Sequence, residues 1–506
     1  MTLSAVHVLC AAIVISGLQY WSSKRQAHQR LPPGPRPYPI VGNLWQLDKA
    51  GSWLTYTEWS KQYGEVFMIR FFNKKVIVLN SERVIKDLLD KRSFNYSDRP
   101  HHETIGLFGL GFRTVFMPYG DKWRVHRRVY HQALHPEGAK IYRSMQVEKA
   151  YQLLQNLLSS PDDYVNHFDF FSGSIVMSAM YGYNASPDDD PIIRNIKRVM
   201  QSVGQAETPE LAAVLDAYPS LLKFPSWFPG AGVKRGASEL RDRVKDMKEP
   251  PFEYVLKQMS AGTAEHSLVF QALTRLGDTG ETAQMIKDAS ATAYSAGSET
   301  TPTTMQVWVL AMVLHPEVQA RAQAEIDAVV GHDRLPDFSD RPSLPYIEAM
   351  LRETLRWHPI VPMSISHSAL EDDIYEGMLI PKGATIIPNV WALSRNEEKY
   401  PSPERFLPER FLTETGEIKD ENFDLVFGFG RRICPGRHLA DASLWISIAC
   451  ILALFNFEKR KDAFGNIIDF EPKYTPTLAS RPYPFPCSIV PRDGVNSEKL
   501  SKLIDV

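Results

Sequence analysis

The chain is short of cysteine: four in 506 residues, at positions 10, 434, 450 and 487. A disulfide scaffold is excluded, and no two of them have the spacing of paired metal ligands. It is equally short of net charge. Lys plus Arg number 57 and Asp plus Glu 59, so 57 − 59 leaves −2, without the global basic field of a nucleic-acid binder. Past residue 40 there is no Gly/Ser-rich linker, charge block or internal repeat. The roughly three domains that the length suggests therefore give way to one large domain. A nucleotide fingerprint is missing too: Gly106, Gly109 and Gly111 lack the G-x-G-x-x-G spacing, and there is no P-loop. Strand-like runs are few. Val66–Arg70 and Lys75–Leu79, around a short Asn-containing turn, read as a hairpin. At 44% apolar and 23% charged, the composition still excludes a disordered or collagenous chain.

What is present begins with an apolar, almost uncharged run from Leu3 to Trp21. At 1.5 Å per residue it spans roughly 28 Å, enough for a bilayer core. Its positive charges, Lys24, Arg25 and Arg30, follow rather than precede it, and no small-x-small cleavage site is clear. That pattern reads as an anchor helix rather than a cleaved signal peptide, and it leaves the rest of the chain in the cytosol. We expect an anchor over 1–22, a basic and proline-rich linker over 23–39, and the functional body over 40–506. Within the linker, Leu31-Pro32-Pro33-Gly34-Pro35-Arg36-Pro37 is stiff and sets how the body sits on the membrane. Helical patterns over Lys122–Leu158, Ala283–Leu314 and Leu439–Phe455 predict a mainly α body with small β-sheets. Two apolar stretches fit neither pattern, Ile105–Phe116 and Tyr218–Pro229. In the second, Trp227 and Phe228 close to Lys234 and Arg235 suit an interfacial contact.

The strongest chemical signal is Phe427-Gly428-Phe429-Gly430-Arg431-Arg432-Ile433-Cys434-Pro435-Gly436. Its glycines allow a tight, irregular backbone, and Cys434 lies just ahead of the apolar helix expected from Leu439. A helix N-terminus and nearby arginines lower a thiol's pKa and favour thiolate. Cys434 and His438 form only a lone C-x3-H, short of a zinc site. A single thiolate on a loop suits one-point axial ligation of a haem iron.

F-x-x-G-x-R-x-C-x-G resembles the haem-ligand signature of the cytochrome P450 family. Four further segments match the family in its order, so the resemblance covers nearly the whole chain. The anchor followed by Pro-Pro-Gly-Pro is like the microsomal, fungal-type members. The resemblance implies haem b, held by Cys434 with Phe427 and Gly436 in the same segment. Ala296-Gly297-Ser298-Glu299-Thr300-Thr301 resembles the oxygen-activation segment of the family's long central helix. Gly297 removes a side chain where a flat ligand could approach. Glu299 and Thr300 put an acid beside a hydroxyl, as a proton relay to bound dioxygen needs. Pro302 cannot donate to the carbonyl of Ser298, so the helix is expected to bend or open there.

Glu353 and Arg356, three apart, can pair on one helical face. The family's E-x-x-R implies that they are buried and joined by Arg410 in a structural role. The near copy Pro403-Glu404-Arg405-Phe406 matches the family's spacing to Cys434 less well. Trp123 and Arg127, four apart, offer an indole donor and a guanidinium fork that suit a carboxylate, here a haem propionate. His367 and Arg432 match the family's other propionate contacts, although His367 alone also reads as a loop histidine. Matching segments offer Phe108, Phe112, Phe116, Met363, Ile365 and Leu478 as apolar pocket residues.

The function so implied is a haem-thiolate monooxygenase. It would insert one atom of O2 into an apolar small molecule, by resemblance a secondary metabolite such as a terpenoid or polyketide. With no nucleotide fingerprint in the chain, electrons must come from a partner, by resemblance an NADPH–cytochrome reductase in the same endoplasmic reticulum membrane. Lys122, Arg124, Arg128, Arg431 and Arg437 are candidates for its docking patch. The rivals are a non-catalytic haem-binding membrane sensor, and a reductase-independent isomerase or dehydratase, against which the Glu299–Thr300 pair argues.

Overall fold

Residues 31–186, 190–206, 209–225, 232–421 and 423–504 are described by a computed structural model. The expected anchor, Cys10, Trp227 and Phe228 lie outside the described residues. Helices of twelve residues or more and all strands are numbered in chain order. The chain runs α1 (Ser52–Tyr63), β1 (Val66–Phe71), β2 (Lys74–Leu79), α2 (Asp121–Leu134), α3 (Arg143–Ser159), α4 (Tyr164–Tyr181), α5 (Pro191–Ala206) and α6 (Gly232–Ala261). It continues through α7 (Gly280–Leu314), α8 (Pro316–Val329), α9 (Pro345–Trp357), β3 (His367–Ser368), β4 (Asp373–Tyr375), β5 (Met378–Ile380), β6 (Thr385–Pro388), α10 (Arg437–Leu454), β7 (Phe455–Lys459) and β8 (Cys487–Pro491). Helix with small sheets is the expected class.

Local chemistry explains where the elements depart from the helical patterns. The single run expected over Lys122–Leu158 is cut into α2, a short helix Pro136–Lys140, and α3. Pro136 lacks a donor and forces His135 into extended backbone, so α2 stops there. The His135 side chain then caps the next turn by accepting from the Gly138 amide at 2.7 Å.

The opposite happens at Pro302, where α7 runs unbroken instead of opening. Around it the carbonyls of Tyr294, Ala296, Glu299 and Thr300 each accept a hydroxyl from the residue four further on, Ser298, Thr300, Thr303 and Thr304. None of them reaches the Ser298 carbonyl that Pro302 leaves without its backbone donor; the helix is held instead by the burial of every side chain from Thr301 to Val313 among its neighbours.

From Thr301 to Val313 every side chain of α7 is buried, as expected of a helix surrounded by others. α4, α9 and α10 pack against it, with Trp308 donating to Met350 Sδ at 3.2 Å. α10 is long and apolar enough to cross a membrane, yet most of it is buried inside the protein. It is a core helix.

The main sheet has the order β1-β2-β6-β3. β1 and β2 form the expected hairpin, with Val66 opposite Leu79, and β2 runs parallel to β6, with Val76 opposite Thr385. One face carries a small separate core of Tyr56, Phe67, Ile69, Val76, Val78 and Ile387. Met363 packs there, with Ser52 donating to its sulfur at 3.2 Å.

Two buried histidines tie stability to pH. Burial pushes His126 down to about 4 and His358, stacked on Tyr474, down to about 3. Both are neutral when folded but titrate near 6.5 when unfolded. The unfolded state therefore binds more protons as pH falls through about 6.5, and the fold loses up to about 1.4 kcal/mol per pH unit per histidine until pH reaches the folded values. Chemical denaturation of the protein between pH 7 and 5 should show this slope. His358→Phe, which keeps an aromatic stack, should remove its share; an unchanged slope would refute the assignment.

A candidate active site around Cys434

Cys434 sits on a loop that two close approaches hold in shape. Gly430 adopts φ 51, and a Cβ there would lie 2.0 Å from the Leu89 carbonyl oxygen. Only glycine fits, and its amide donates to Asp90 at 2.6 Å. Eight residues of loop are then closed by the Cys434 amide donating to the Phe427 carbonyl at 2.7 Å. Arg127, from α2, donates to the Ile433 carbonyl at 2.7 Å. The sulfur faces the amides of Gly436 and Arg437, and a Cβ on Gly436 would sit 4.0 Å from it. These amides and Arg127 pull the thiol down, but burial outweighs them and its pKa is raised. The expected thiolate is therefore not made by the protein alone; a coordinated metal ion would remove the proton outright.

Beside this loop positive charge is buried without a counter-ion. Arg432 is 9% exposed and Arg99 7% exposed. Arg432 donates to the carbonyls of Ser97 at 2.7 Å and Met117 at 2.9 Å, and its guanidinium lies 4.5 Å from the Trp123 ring centre. Arg99 donates to the carbonyls of Val115, Ile365 and Ser366 at 2.8, 2.8 and 2.7 Å. Arg127 lies 5.9 Å from the same ring centre.

Among the described residues, none of the three arginines pairs with a carboxylate. Burial holds all three guanidiniums below their usual range, Arg432 at about 10, and Arg99 and Arg432 repel each other. Asp98 offsets only part of this. His367 is buried with its Nδ1 on the Tyr96 carbonyl at 2.6 Å, and burial with Arg99 and Arg432 keeps it neutral. Buried charge of this kind calls for an anion. An anion seated there would also favour protonation of His367.

Haem fits this donor set. It offers carboxylates for the cationic cluster, a flat apolar body, and an iron that accepts Cys434. Trp123, Arg127, His367 and Arg432 are brought together as expected. Arg99 was not expected, because no local spacing marks it; the loop that carries it reaches the cluster only in three dimensions.

Ala296 and Thr300, one turn apart on α7, share an accessible face, and Thr300 donates to the Ala296 carbonyl at 3.2 Å. Glu299 lies beside it with its carboxylate 3.3 Å from Arg481. Gly297 serves another purpose than the one expected. A Cβ there would lie 2.7 Å from Val176 of α4, and Ser172 donates to the Gly297 carbonyl at 2.8 Å. The missing side chain lets two helices close; it does not make room for a flat ligand.

The six pocket candidates do not form one cluster. Phe108 and Phe112 are buried in the main core, and the Phe112 carbonyl accepts from Thr292 of α7 at 3.2 Å. Phe116 lies under the Arg113 guanidinium. Ile365 contributes its carbonyl to Arg99. Met363 belongs to the separate core on the sheet, and Leu478 is exposed.

Glu353 and Arg356 are fully buried, joined by two hydrogen bonds of 2.7 and 2.8 Å. Arg410 adds a third contact to Glu353 at 3.1 Å, and the Leu407 amide a fourth at 2.7 Å. Arg405 contributes only its carbonyl to Arg356 and Arg410. Deleting one member of such a pair typically costs about 3–5 kcal/mol, so this network holds segment 401–412 to α9.

Arg124, Arg127, Arg128, Arg437, His131, His135 and His438 line a cavity of about 370 Å³ beside the Cys434 loop. Of the expected docking residues, Arg124, Arg128 and Arg437 are in it. Lys122 instead pairs with Glu281 at 3.8 Å, and Arg431 is bonded to Tyr119.

A family model described as Cytochrome P450 matches residues 32–484. A cytochrome P450 monooxygenase of Armillaria gallica is 38% identical over 93% of this chain and 94% of its own. Cytochrome P450 monooxygenase COX2 of Coprinopsis cinerea is 37% identical over 95% and 93%. Cytochrome P450 monooxygenase 136 of Postia placenta is 35% identical over 99% and 96%.

If Arg99 answers an anion of the haem, Arg99→Met should release haem about ten-fold faster or more, since a hydrogen bond to a charged group contributes about 1.5–3 kcal/mol. Haem transfer to apomyoglobin measures this. Wild-type retention would show that Arg99 serves only its three carbonyls.

Proposed function

Since the chain belongs to the cytochrome P450 family of haem b monooxygenases, which draw electrons from NADPH through a reductase, we propose that it oxidises an apolar small molecule of secondary metabolism, such as a terpenoid or polyketide. The observation that supports the reading most is the convergence of the half-buried Cys434 and a buried arginine cluster that pairs with no carboxylate among the described residues. When bound, haem supplies dioxygen activation, with the thiolate's electron density favouring cleavage of the O–O bond.

The chain's own residues do the rest. Cys434 would hold the iron, and Arg99, Trp123, Arg127, His367 and Arg432 would hold the propionates. Thr300 keeps a hydrogen-bonded water in place at the accessible face, and Glu299 connects that water towards solvent. Glu353, Arg356 and Arg410 keep the segment leading to the Cys434 loop in register.

Electrons reach this site from a partner. The cavity beside Cys434 is lined by four arginines and three histidines, with no carboxylate among its lining residues. It suits an acidic surface on the reductase. A different face supports membrane attachment. Tyr38, Ile40 and Trp45 are exposed, as are Tyr218, Leu221 and Phe224. Gly42 bridges to Phe71, and Phe72 packs edge-on against Tyr218 at 5.7 Å, so the two groups lie on one side of the sheet. An exposed apolar patch of this kind is a lipid contact beside an anchor at 1–22. With that anchor, the body, residues 40–506, would lie on the cytosolic face of the endoplasmic reticulum.

Thr300→Ala should keep the haem spectrum and NADPH consumption but lose product roughly 10²–10⁴-fold, reduced oxygen leaving as hydrogen peroxide. The assay is product, peroxide and NADPH with reductase, on a member of a terpene panel that the wild type oxidises. Wild-type coupling would remove Thr300 from the relay. A wild type whose product needs no reductase would favour the isomerase or dehydratase reading.

For the membrane face, the protein lacking residues 1–30 should still bind vesicles weakly, and Ile40→Asp with Trp45→Asp should abolish that residue of binding. Sedimentation with liposomes decides it. Complete binding of the truncated protein would mean that the anchor is not the main attachment.

A further inference from the structure

Glu299 has a partner from the far end of the chain. Arg481 donates to its Oε1 at 3.3 Å, from a loop 182 residues further on. Taken alone, a half-exposed pair of this length contributes little to stability. The loop that carries Arg481, however, is built to hold it in place.

Its neck is closed twice between the same two residues. The Thr475 amide donates to the Arg481 carbonyl at 2.9 Å, and the Arg481 amide donates to the Thr475 hydroxyl at 3.1 Å. Inside the loop Thr475 and Thr477 share a hydroxyl contact of 2.9 Å, and Thr477 donates to the Ala479 carbonyl at 2.8 Å. Its base is fixed to the body. Ser480 is fully buried, its amide donates to the Ile360 carbonyl at 2.7 Å, and its hydroxyl meets His358 Nε2 at 3.1 Å. His358 is in turn stacked on Tyr474 at 3.7 Å. Leu478, at the tip, is exposed.

A rigid base, a free tip and one charged tie to α7 form a connected device. The tie ends on the residue next to Thr300.

We infer that Arg481 is a positioning residue of the proton relay: it fixes the Glu299 carboxylate and thereby couples the 475–481 loop to proton delivery at Thr300. This rests on the relay reading given above. A carboxylate that carries protons must swing between solvent and the Thr300 water. The pair is partly exposed, so Arg481 can orient Glu299 while its carboxylate keeps access to solvent. A lysine can replace the charge but not the fork of Arg481.

The test uses the full-length, haem-loaded protein with reductase and no added substrate, so no substrate need be known. Two electrons and two protons reduce O2 to hydrogen peroxide; four of each reduce it to two waters, and the second pair of protons needs the relay. Peroxide formed per NADPH should rise at least two-fold in Arg481→Met and in Glu299→Gln. It should rise no further in the double variant, and it should fall back towards wild type in Arg481→Lys. Hydrogen exchange of peptides spanning 475–481 should quicken several-fold in both single variants, a readout independent of turnover.

A raised ratio in Glu299→Gln with a wild-type ratio in Arg481→Met would overturn the inference and leave the relay standing. Wild-type ratios in both would overturn the relay and the inference with it. Unchanged loop exchange in Glu299→Gln would show that the tie does not hold the loop.

Discussion

Buried positive charge without a matching carboxylate is the constraint around which this molecule is arranged. Arg99, Arg127, Arg432 and the neutral His367 converge on one region, and the protein meets their donors almost wholly with backbone carbonyls. Those carbonyls belong to Ser97, Val115, Met117, Ile365, Ser366 and Ile433, on segments with little regular structure of their own. The guanidinium forks therefore tie four loops together, one of which carries Cys434. Hydrogen bonds satisfy the N–H groups but leave the charge itself uncompensated. That residual charge suits a ligand that carries carboxylates.

A second network makes that arrangement rigid from behind. Glu353, Arg356 and Arg410 exclude water completely around one carboxylate, and the Leu407 amide uses its remaining capacity. An ion trio of this depth contributes little net stability compared with apolar packing, but it defines one geometry, because any other leaves a buried charge unpaired. Segment 401–412 is fixed by it, and the chain leads from there to the Cys434 loop. α9 in turn packs against α7, which is fully buried from Thr301 to Val313. The helix is accessible again at Ala296 to Thr300, just before its long buried stretch.

Much of this was legible in the residue order, and what was not has identifiable causes. Signals that depend on neighbours in sequence read well. The hairpin of β1 and β2, the long helices, the loop around Cys434, and the pairs at spacing three or four, Glu353 with Arg356 and Trp123 with Arg127, are all local. Arg410 rather than Arg405 reaches Glu353, as spacing to Cys434 had indicated. Errors arose wherever burial or distant packing decides. Pro136 and Pro302 both interrupt helical patterns, yet one ends a helix and the other does not, because the stretch after Pro302 is buried among neighbouring helices whose packing outweighs one lost backbone bond. Cys434 was expected to be thiolate from its arginines and helix terminus, but its desolvation outweighs them. Gly297 was read against a ligand and serves Val176.

By itself the sequence determined the helical class, the lone cysteine with its glycine-shaped loop, and the acid–hydroxyl pair on α7, because each follows from residue chemistry within a few positions. Only the tertiary structure decided which distant groups meet them. Arg99 joins the cationic cluster, Met363 leaves the pocket for the sheet, and Arg481 meets Glu299. None of these is encoded by spacing, since each depends on where loops are carried by the packing of helices far from them in the chain.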